Sequence, residues 1–337
     1  MIVCPKNSRI FEVATQRNLQ VVGIDYKSQF SIKTAKQLKK ITRDFNANIV
    51  LLHNSKSHTL GVISSLFCGL KTPMILFRTM IKNIGTNFLN KFKYNYKGIC
   101  KIVCISDPVV TELKKAIKKS EKLVVVGSVV DTDRFIGEHK TGFLHRELGI
   151  PLDYKIIGNV SAFEKVKDHY TWINAVEELH KRGLKAKYVL IGEGSLETSI
   201  KELVISKGLE KEVVFAGFRS DIHKCIPEFD LFLFTSKNEA TGGVILESYA
   251  SRVPVVAARA GGIPTVLIDN ETGLLAEVGN PIDFADKVEQ LLNCEVSQQK
   301  YIQKGFDFLM NTSTRAIIGN KINDILNQVV IREYSGA

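Results

Sequence analysis

Residues 237–262 read KNEATGGVILESYASRVPVVAARAGG. Two glutamates, Glu239 and Glu247, stand with seven residues between them and a Gly-Gly pair in the gap; a run led by Pro254 and a second pair, Gly261-Gly262, follow. The preceding "DLFLFTS" (230–236) is a continuous apolar run, the pattern of a strand buried on both faces. Residues 237–243 therefore read as the loop at its carboxyl end, and "GGVILESYAS" as the start of a helix. Gly243 at a helix start leaves backbone N–H groups free and lets an anion approach closely, and the helix dipole favours negative charge there. Glu247 falls about one turn into the helix, and Glu239 lies in the loop before it. The set suits a phosphate at the helix end with two acceptors for hydroxyl hydrogen bonds, the groups that a nucleotide sugar carries. The plain alternative is a strand–loop–helix unit whose glutamate caps its own helix.

Outward from this stretch, short β-branched runs alternate with helix-period segments along the whole chain. The first half has "VVGI" (21–24), "NIVLLH" (48–53), "PMILF" (73–77), "KIVCIS" (101–106) and "KLVVVG" (122–127), with helical patterns such as 33–45 and 108–119 between them. The second half has "KIIGNV" (155–160), "KYVLIGEG" (187–194), "EVVFAG" (212–217), "DLFLFTS" and "VPVVAA" (253–258). Apolar strands alternating with helices predict an α/β chain of two Rossmann-like, doubly wound domains with parallel sheets. A cleft is expected between such domains, at the carboxyl ends of their strands. "GFLHRELGIPLD" (142–153) closes the first series, which places a boundary near 150. The expected division is a basic, acceptor-binding domain over 1–150, a nucleotide-sugar domain over 151–312, and a C-terminal helix over 313–337 packing back on the first. Ile317, Ile318, Ile322, Ile325, Leu326 and Val329 form one stripe on that helix.

A chain of 337 residues with 45% hydrophobic and 24% charged residues is globular. It contains no run of 18 apolar residues, and "MIVCPKNSRIF" lacks a signal peptide's apolar region. A cytoplasmic location is expected. The six cysteines are scattered without a C-x-x-C, and the seven histidines form no metal-ligand cluster, so neither a disulfide framework nor a metal site is predicted. Residues 1–150 hold 25 Lys and Arg against 10 Asp and Glu, while the remainder is mildly acidic. That asymmetry points to different partners for the two halves.

The chain resembles the family 4 retaining glycosyltransferases of the GT-B fold. The resemblance rests on the E-x₇-E pair Glu239 and Glu247, then "VPVVAARAGGIP" (253–264) and "DNETGLLAEVGNPIDFADKVEQLL" (269–292). It extends upstream through "VLIGEGSLETSIKELV" (189–204), "VVFAGFRSDI" (213–222) and "KDHYTWINAV" (167–176). "NIVLLHNSKSH" (48–58), "VCISDPVVTEL" (103–113) and "VVDTDRF" (129–135) match more loosely. It implies that Glu247 accepts hydrogen bonds from a nucleotide's ribose and that Glu239 orients the transferred sugar. Lys167 would neutralise the diphosphate, and Thr241, Gly242, Gly243 and Val244 would line sugar and phosphates. Backbone around Phe218 and Arg219 would lie near the base, and His53 near the reacting sugar carbon. The implied reaction transfers a sugar with retention from a UDP- or GDP-linked donor, without metal or other cofactor, to a glycan or glycolipid in surface polysaccharide or lipopolysaccharide synthesis. Bland readings stand beside these: Lys167 as a solvated lysine next to Asp168, His53 as a satisfied histidine at a sheet edge.

Three features depart from the family pattern. Ala162 stands where the family has an arginine, with Lys165 nearby; Thr265 stands where "GGIP" is usually followed by Glu; and the chain starts at what reads as the family's second strand. The alternatives are a GT-B-shaped nucleotide-sugar-binding protein with little transferase activity, or a sugar-nucleotide epimerase. Within "RTMIKNIGTNFLNKFKYNYKGICK" (78–101), six basic residues alternate with apolar and aromatic ones. This reads either as a segment meeting an anionic membrane surface or as a solvated helix face over a core stripe. No nucleic-acid-binding motif accompanies the charge, so no nucleic acid partner is expected; the membrane reading would place the protein peripherally at the inner membrane face.

Overall fold

The computed structural model describes residues 1–81, 84, 85 and 87–334, with side chains up to Ile331; Lys82, Asn83 and Thr86 of the basic segment lie outside the described residues. The strands are β1 Ile2–Pro5, β2 Val21–Ile24, β3 Val50–Leu52, β4 Met74–Arg78, β5 Ile99–Cys104, β6 Leu123–Val125, β7 Lys155–Val160, β8 Ala186–Ile191, β9 Val213–Phe215, β10 Leu231–Phe234, β11 Val255–Ala258 and β12 Leu274–Ala276. Every strand pairing is parallel. Parallel neighbours need a crossover, and helices supply most of them. Each apolar run named from the sequence carries a strand. β12 was not foreseen.

The chain divides into two compact units. The first holds residues 1–105, 109–126 and those from Lys321 on; the second holds 106–108 and 127–320. The units thus part between Val126 and Gly127, and 127–150 belongs with the second. The last helix, Arg315–Tyr334, is divided between them at Lys321. Its apolar stripe is as the spacing predicts, with Ile318, Ile325 and Val329 buried.

In the first unit β3-β4-β5-β6 form a four-stranded sheet, and β1-β2 a two-stranded one. Met74, Ile75, Leu76, Ile99 and Ile102 are fully buried between flanking helices. The helices start on side-chain caps: Ser31 for Ile32–Asp44, Asn54 in a reciprocal capping box with Ser57 for Ser55–Cys68, and Asn87 for Phe88–Asn95. The pattern over 108–119 yields a helix only from Asp107 to Lys114. Lys114 and Lys115 would face Lys118 and Lys119 one turn on, and like charges at that spacing oppose continuation.

The second unit is built on one six-stranded sheet ordered β12-β11-β10-β7-β8-β9. The chain lays down β7, β8 and β9 in one direction, then returns to the other side of β7 with β10 and proceeds to β12. The reversal falls between β7 and β10, and ligands bind in such crevices outside the carboxyl ends of the strands. Pairing of these two strands covers only Leu231 with Ile157 and Phe232 with Gly158. Gly158 is required there, because a Cβ would lie 2.2 Å from the Phe229 ring. Beyond it the buried Asn159 side chain takes over, donating from Nδ2 to the Leu233 carbonyl at 2.8 Å; Trp172 Nε1 donates to the same oxygen at 3.1 Å. The strands therefore separate at their carboxyl ends while their side chains remain tied.

Candidate active site

Two loops leave this switch point: 161–168 after β7, and 235–242 after β10. Their backbones are joined. Lys237 N donates to the Val166 carbonyl at 2.8 Å, and Thr235 Oγ1 donates to the Asp168 carbonyl at 3.1 Å. Ser236 Oγ, fully buried, lies 3.0 Å from the Val166 carbonyl and 2.9 Å from Glu239 Oε1.

Lys167 and Glu239 meet directly: Nζ donates to Oε1 at 2.5 Å, with only 22% and 15% of the two side chains exposed. The ammonium also lies 5.5 Å from the centre of the Phe234 ring. The solvated-lysine reading does not hold, since Lys167 is largely covered and its partner is Glu239, not the adjacent Asp168. Below the loop, His169 is buried with Nε2 3.1 Å from Ser161 Oγ and its ring edge-on to Phe163. Burial, with the Lys167 charge adding to it, pushes its pKa down to about 4, so the imidazole is neutral at physiological pH.

The first glycine pair builds the helix start. Gly242 is the N-cap at φ +75°, where only glycine is free of steric cost. At Gly243 a Cβ would meet nothing nearer than Ser128 Oγ at 3.8 Å. That is ordinary contact, and the first N–H groups of the helix Gly243–Ala250 lack intrahelical partners. Thr241 and Gly242 are buried, Gly243 and Val244 half-buried.

Glu247 lies one turn into the helix and is half-buried. Among the described residues its carboxylate has no hydrogen-bond or ion-pair partner. Burial pushes its pKa up to about 7, with the Arg134 charge drawing it back. The capping alternative therefore fails: Glu247 satisfies no backbone donor, and it holds an acceptor in a partly dry place at the cost of desolvation.

The second glycine pair serves the loop, not the helix. Gly262 N donates to the Glu239 carbonyl at 2.6 Å, a Cβ on Gly262 would sit 1.8 Å from the Ala240 carbonyl oxygen, and one on Gly261 2.5 Å from that of Glu239. Ser106 Oγ donates to the Ala240 carbonyl at 2.5 Å. Gly261 and Gly262 form a backbone cradle that carries the Glu239 loop.

Phe218 is 70% exposed in the loop after β9. The Arg219 guanidinium is occupied, donating to both Asp221 oxygens at 2.9 and 2.8 Å and also to Glu147; this pairing pulls Asp221 down to about 2. Arg134, not singled out from the sequence, reaches this loop by donating to the Ser220 carbonyl at 3.3 Å. Ala162 and Lys165 are both exposed. His53, in the other unit, is exposed just past β3 and stacks on Phe77 at 4.8 Å. Among the described residues no group of His, Cys, Asp and Glu is placed to hold a metal. A hollow at the opposite, amino ends of β7 and β10 is lined by Lys140, Asp153, Lys185 and Asp230, and these charges already pair with one another.

Residues 140–308 match the family described as glycosyl transferases group 1, half of the chain. The chain belongs to that family. It is 27% identical over 271 residues to the N-acetyl-alpha-D-glucosaminyl L-malate synthase of Bacillus anthracis, covering 79% of this chain and 71% of that enzyme. It is 27% identical over 218 residues to the lipopolysaccharide core biosynthesis glycosyltransferase LpsE of Rhizobium meliloti, covering 64% of this chain but 61%, less than two thirds, of LpsE. The crystal structure of Anabaena Alr3699/HepE in complex with UDP and glucose superposes with a TM-score of 0.84 over 97% of this chain and 91% of that one, at 18% identity. Likeness over nearly the whole chain shows the fold expected from the resemblance, GT-B.

Proposed function

We propose that this glycosyltransferase family member transfers a sugar, with retention at its anomeric carbon, from a UDP- or GDP-linked donor to a glycan or lipid-linked acceptor of surface polysaccharide or lipopolysaccharide. The observation that carries the reading is Glu247, a half-buried carboxylate one turn inside a glycine-opened helix, with no hydrogen-bond or ion-pair partner among the described residues. A ribose diol supplies two donors for it. Lys167 and the amides at Gly243 and Val244 then face the diphosphate, Glu239 and Thr241 the sugar hydroxyls, and the backbone at Phe218 and Arg219 the base. The bond from the anomeric carbon to the leaving diphosphate breaks through an oxocarbenium-like state. The acceptor oxygen bonds to the same face, and its proton passes to the departing phosphate. Stabilising that charge by Lys167 and the helix start is the protein's main contribution, and no metal is required. His53, on the acceptor-binding unit, is assigned to the neighbourhood of the reacting carbon. Of the relatives, the lipopolysaccharide core biosynthesis glycosyltransferase agrees with this class of product, while the N-acetyl-alpha-D-glucosaminyl L-malate synthase makes a malate conjugate.

The acceptor side is read as a cytoplasmic membrane surface. Phe88, Leu89 and Phe92 are 80%, 69% and 42% exposed on the helix Phe88–Asn95, whose other face buries Tyr94, in a half of the chain rich in lysine. Among the described residues no helix is long and apolar enough to cross a membrane, so the contact proposed is peripheral. Calorimetric titration with UDP, GDP and ADP, followed by a hydrolysis screen of their sugars, tests the whole reading. Absence of binding by all three would sink it. Binding without transfer or hydrolysis would favour a binding protein, and interconversion of donor epimers an epimerase.

A further inference from the structure

Asp168 combines features that a surface loop does not require. It is 3% exposed, charged, and held at φ +53°, ψ +50°, a left-handed conformation that glycine adopts without steric cost and that aspartate tolerates. The backbone alone would be served by glycine, so what aspartate adds there is its side chain. Oδ2 accepts from Thr171 Oγ1 at 2.5 Å, and Oδ1 pairs with Lys237 Nζ at 3.0 Å. Lys237 lies two residues from Glu239, and Asp168 is next to Lys167. The two loops are therefore crossed by two ion pairs of opposite sense, Lys167 to Glu239 and Lys237 to Asp168. The left-handed turn at Asp168 separates the two side chains, sending one to each pair.

The first pair cannot persist unchanged if Lys167 serves a diphosphate, because the ammonium must share or leave Glu239 when the donor arrives. The second pair has no such duty. We infer that Asp168 and Lys237 are positioning residues, a clasp that keeps the loop of Lys167 in register with the loop of Glu239 while Lys167 changes partners. The inference rests on the reading of Lys167 as the diphosphate ligand. Asp168 is the buried anchor, fixed from below by Thr171. Lys237, with half of its side chain exposed, is the arm that reaches across.

The test uses the full chain and four variants. Asp168→Asn keeps shape, tolerance of the left-handed turn and, through its one oxygen, the bond to Thr171, and turns an amide N–H₂ instead of a carboxylate oxygen toward Lys237. Lys237→Met keeps the stem of the lysine. The double variant completes a cycle, and Lys167→Ala is the control. In the ligand-free protein, each single clasp variant should speed amide exchange at both 163–168 and 236–241 by about tenfold, with the β7 and β10 cores unchanged. Affinity for UDP or GDP should fall about tenfold, since misplacement of a charged ligand group is costly, while affinity for uridine or guanosine stays at the wild-type level. The double variant should be no worse than the poorer single one. Wild-type exchange in either loop of both single variants, or losses that simply add, would overturn the clasp. Should Asp168→Asn fail to fold, Lys237→Met alone carries the test. Exchange needs no ligand, so it scores the clasp even if no nucleotide binds and the functional reading fails. If Lys167→Ala weakens diphosphate binding and the clasp variants do not, the positioning role falls by itself.

Discussion

Replacing Glu247 by glutamine should make the protein more stable and a poorer binder, with both effects set by pH. A carboxyl raised from 4.5 to about 7 by burial carries a penalty in the folded state, since each factor of ten in proton affinity is worth about 1.4 kcal/mol. Below pH 4.5 folded and unfolded chains are both protonated there, and no penalty exists. Between 4.5 and 7 the folded chain keeps a proton that the unfolded chain releases, so stability falls as pH rises. Above 7 the loss is complete, about 3 kcal/mol in full and about 1–3 kcal/mol once partial solvation of the carboxylate screens it. Glutamine carries no charge at any pH. Urea unfolding followed by circular dichroism should therefore find wild type and Glu247→Gln alike at pH 4.5, with the variant ahead by about 1–3 kcal/mol at pH 8. Its affinity for UDP or GDP should drop by about 1.5–3 kcal/mol at pH 8, the worth of a hydrogen bond to a charged acceptor. Wild-type affinity should itself rise between pH 6 and 8 as the acceptor ionises. A variant with neither the gain at pH 8 nor weaker binding would refute the reasoning, because Glu247 would then be neither strained nor in contact with nucleotide.

Three further outcomes are expected. Lys167→Ala should weaken UDP or GDP far more than uridine or guanosine, with the difference shrinking at high salt; equal losses in titration would make the lysine structural. Gly262→Ala places a methyl against the Ala240 carbonyl and should cost about 1–3 kcal/mol together with nucleotide binding, so an unchanged melting temperature would remove the cradle. Phe88→Ser with Phe92→Ser should abolish flotation with vesicles of anionic lipid without lowering the melting temperature, and wild type should be released as salt rises. Wild-type flotation no better on anionic than on neutral vesicles would end the membrane reading. Lys93 is not a suitable target, because its ammonium donates to Thr59 Oγ1 at 3.1 Å and its carbonyl lies 3.2 Å from His58 Nε2.

The strands of the second unit's sheet centre were legible because β7, β10 and β11 are apolar runs buried almost throughout, bounded by helix-period sequence; β3 and β6, with Leu51 and Val125 exposed, were legible from their β-branched runs alone. β12 escaped because Leu274 to Ala276 carry no β-branched residue, whereas β3, β6 and β9, equally short, each contain valine. The Glu239 loop and its helix could be drawn from "DLFLFTS" and the glycines alone. The Lys167–Glu239 pair could not, since 72 positions separate its members and only the return of the chain across β7 joins them. Nor could Asp168, whose left-handed backbone has no signal in a residue type that usually signals a cap or a turn. The basic segment is a third case. Alternation of lysine and aromatic residues left open which face is covered, and the structure buries Tyr94 while exposing Phe88 and Phe92.

The Glu239 loop is suspended by its main chain: Lys237 N on Val166, the Glu239 carbonyl on Gly262, and the Ala240 carbonyl on Ser106. Such an attachment is indifferent to most of the side chains that it carries. Asn238 is exposed and Ala240 half-exposed, so either position can be exchanged without altering the path of the chain that presents Glu239. These two positions can therefore be sampled while the fold stays constant, and a saturation library at Asn238 and Ala240 should return mostly folded proteins.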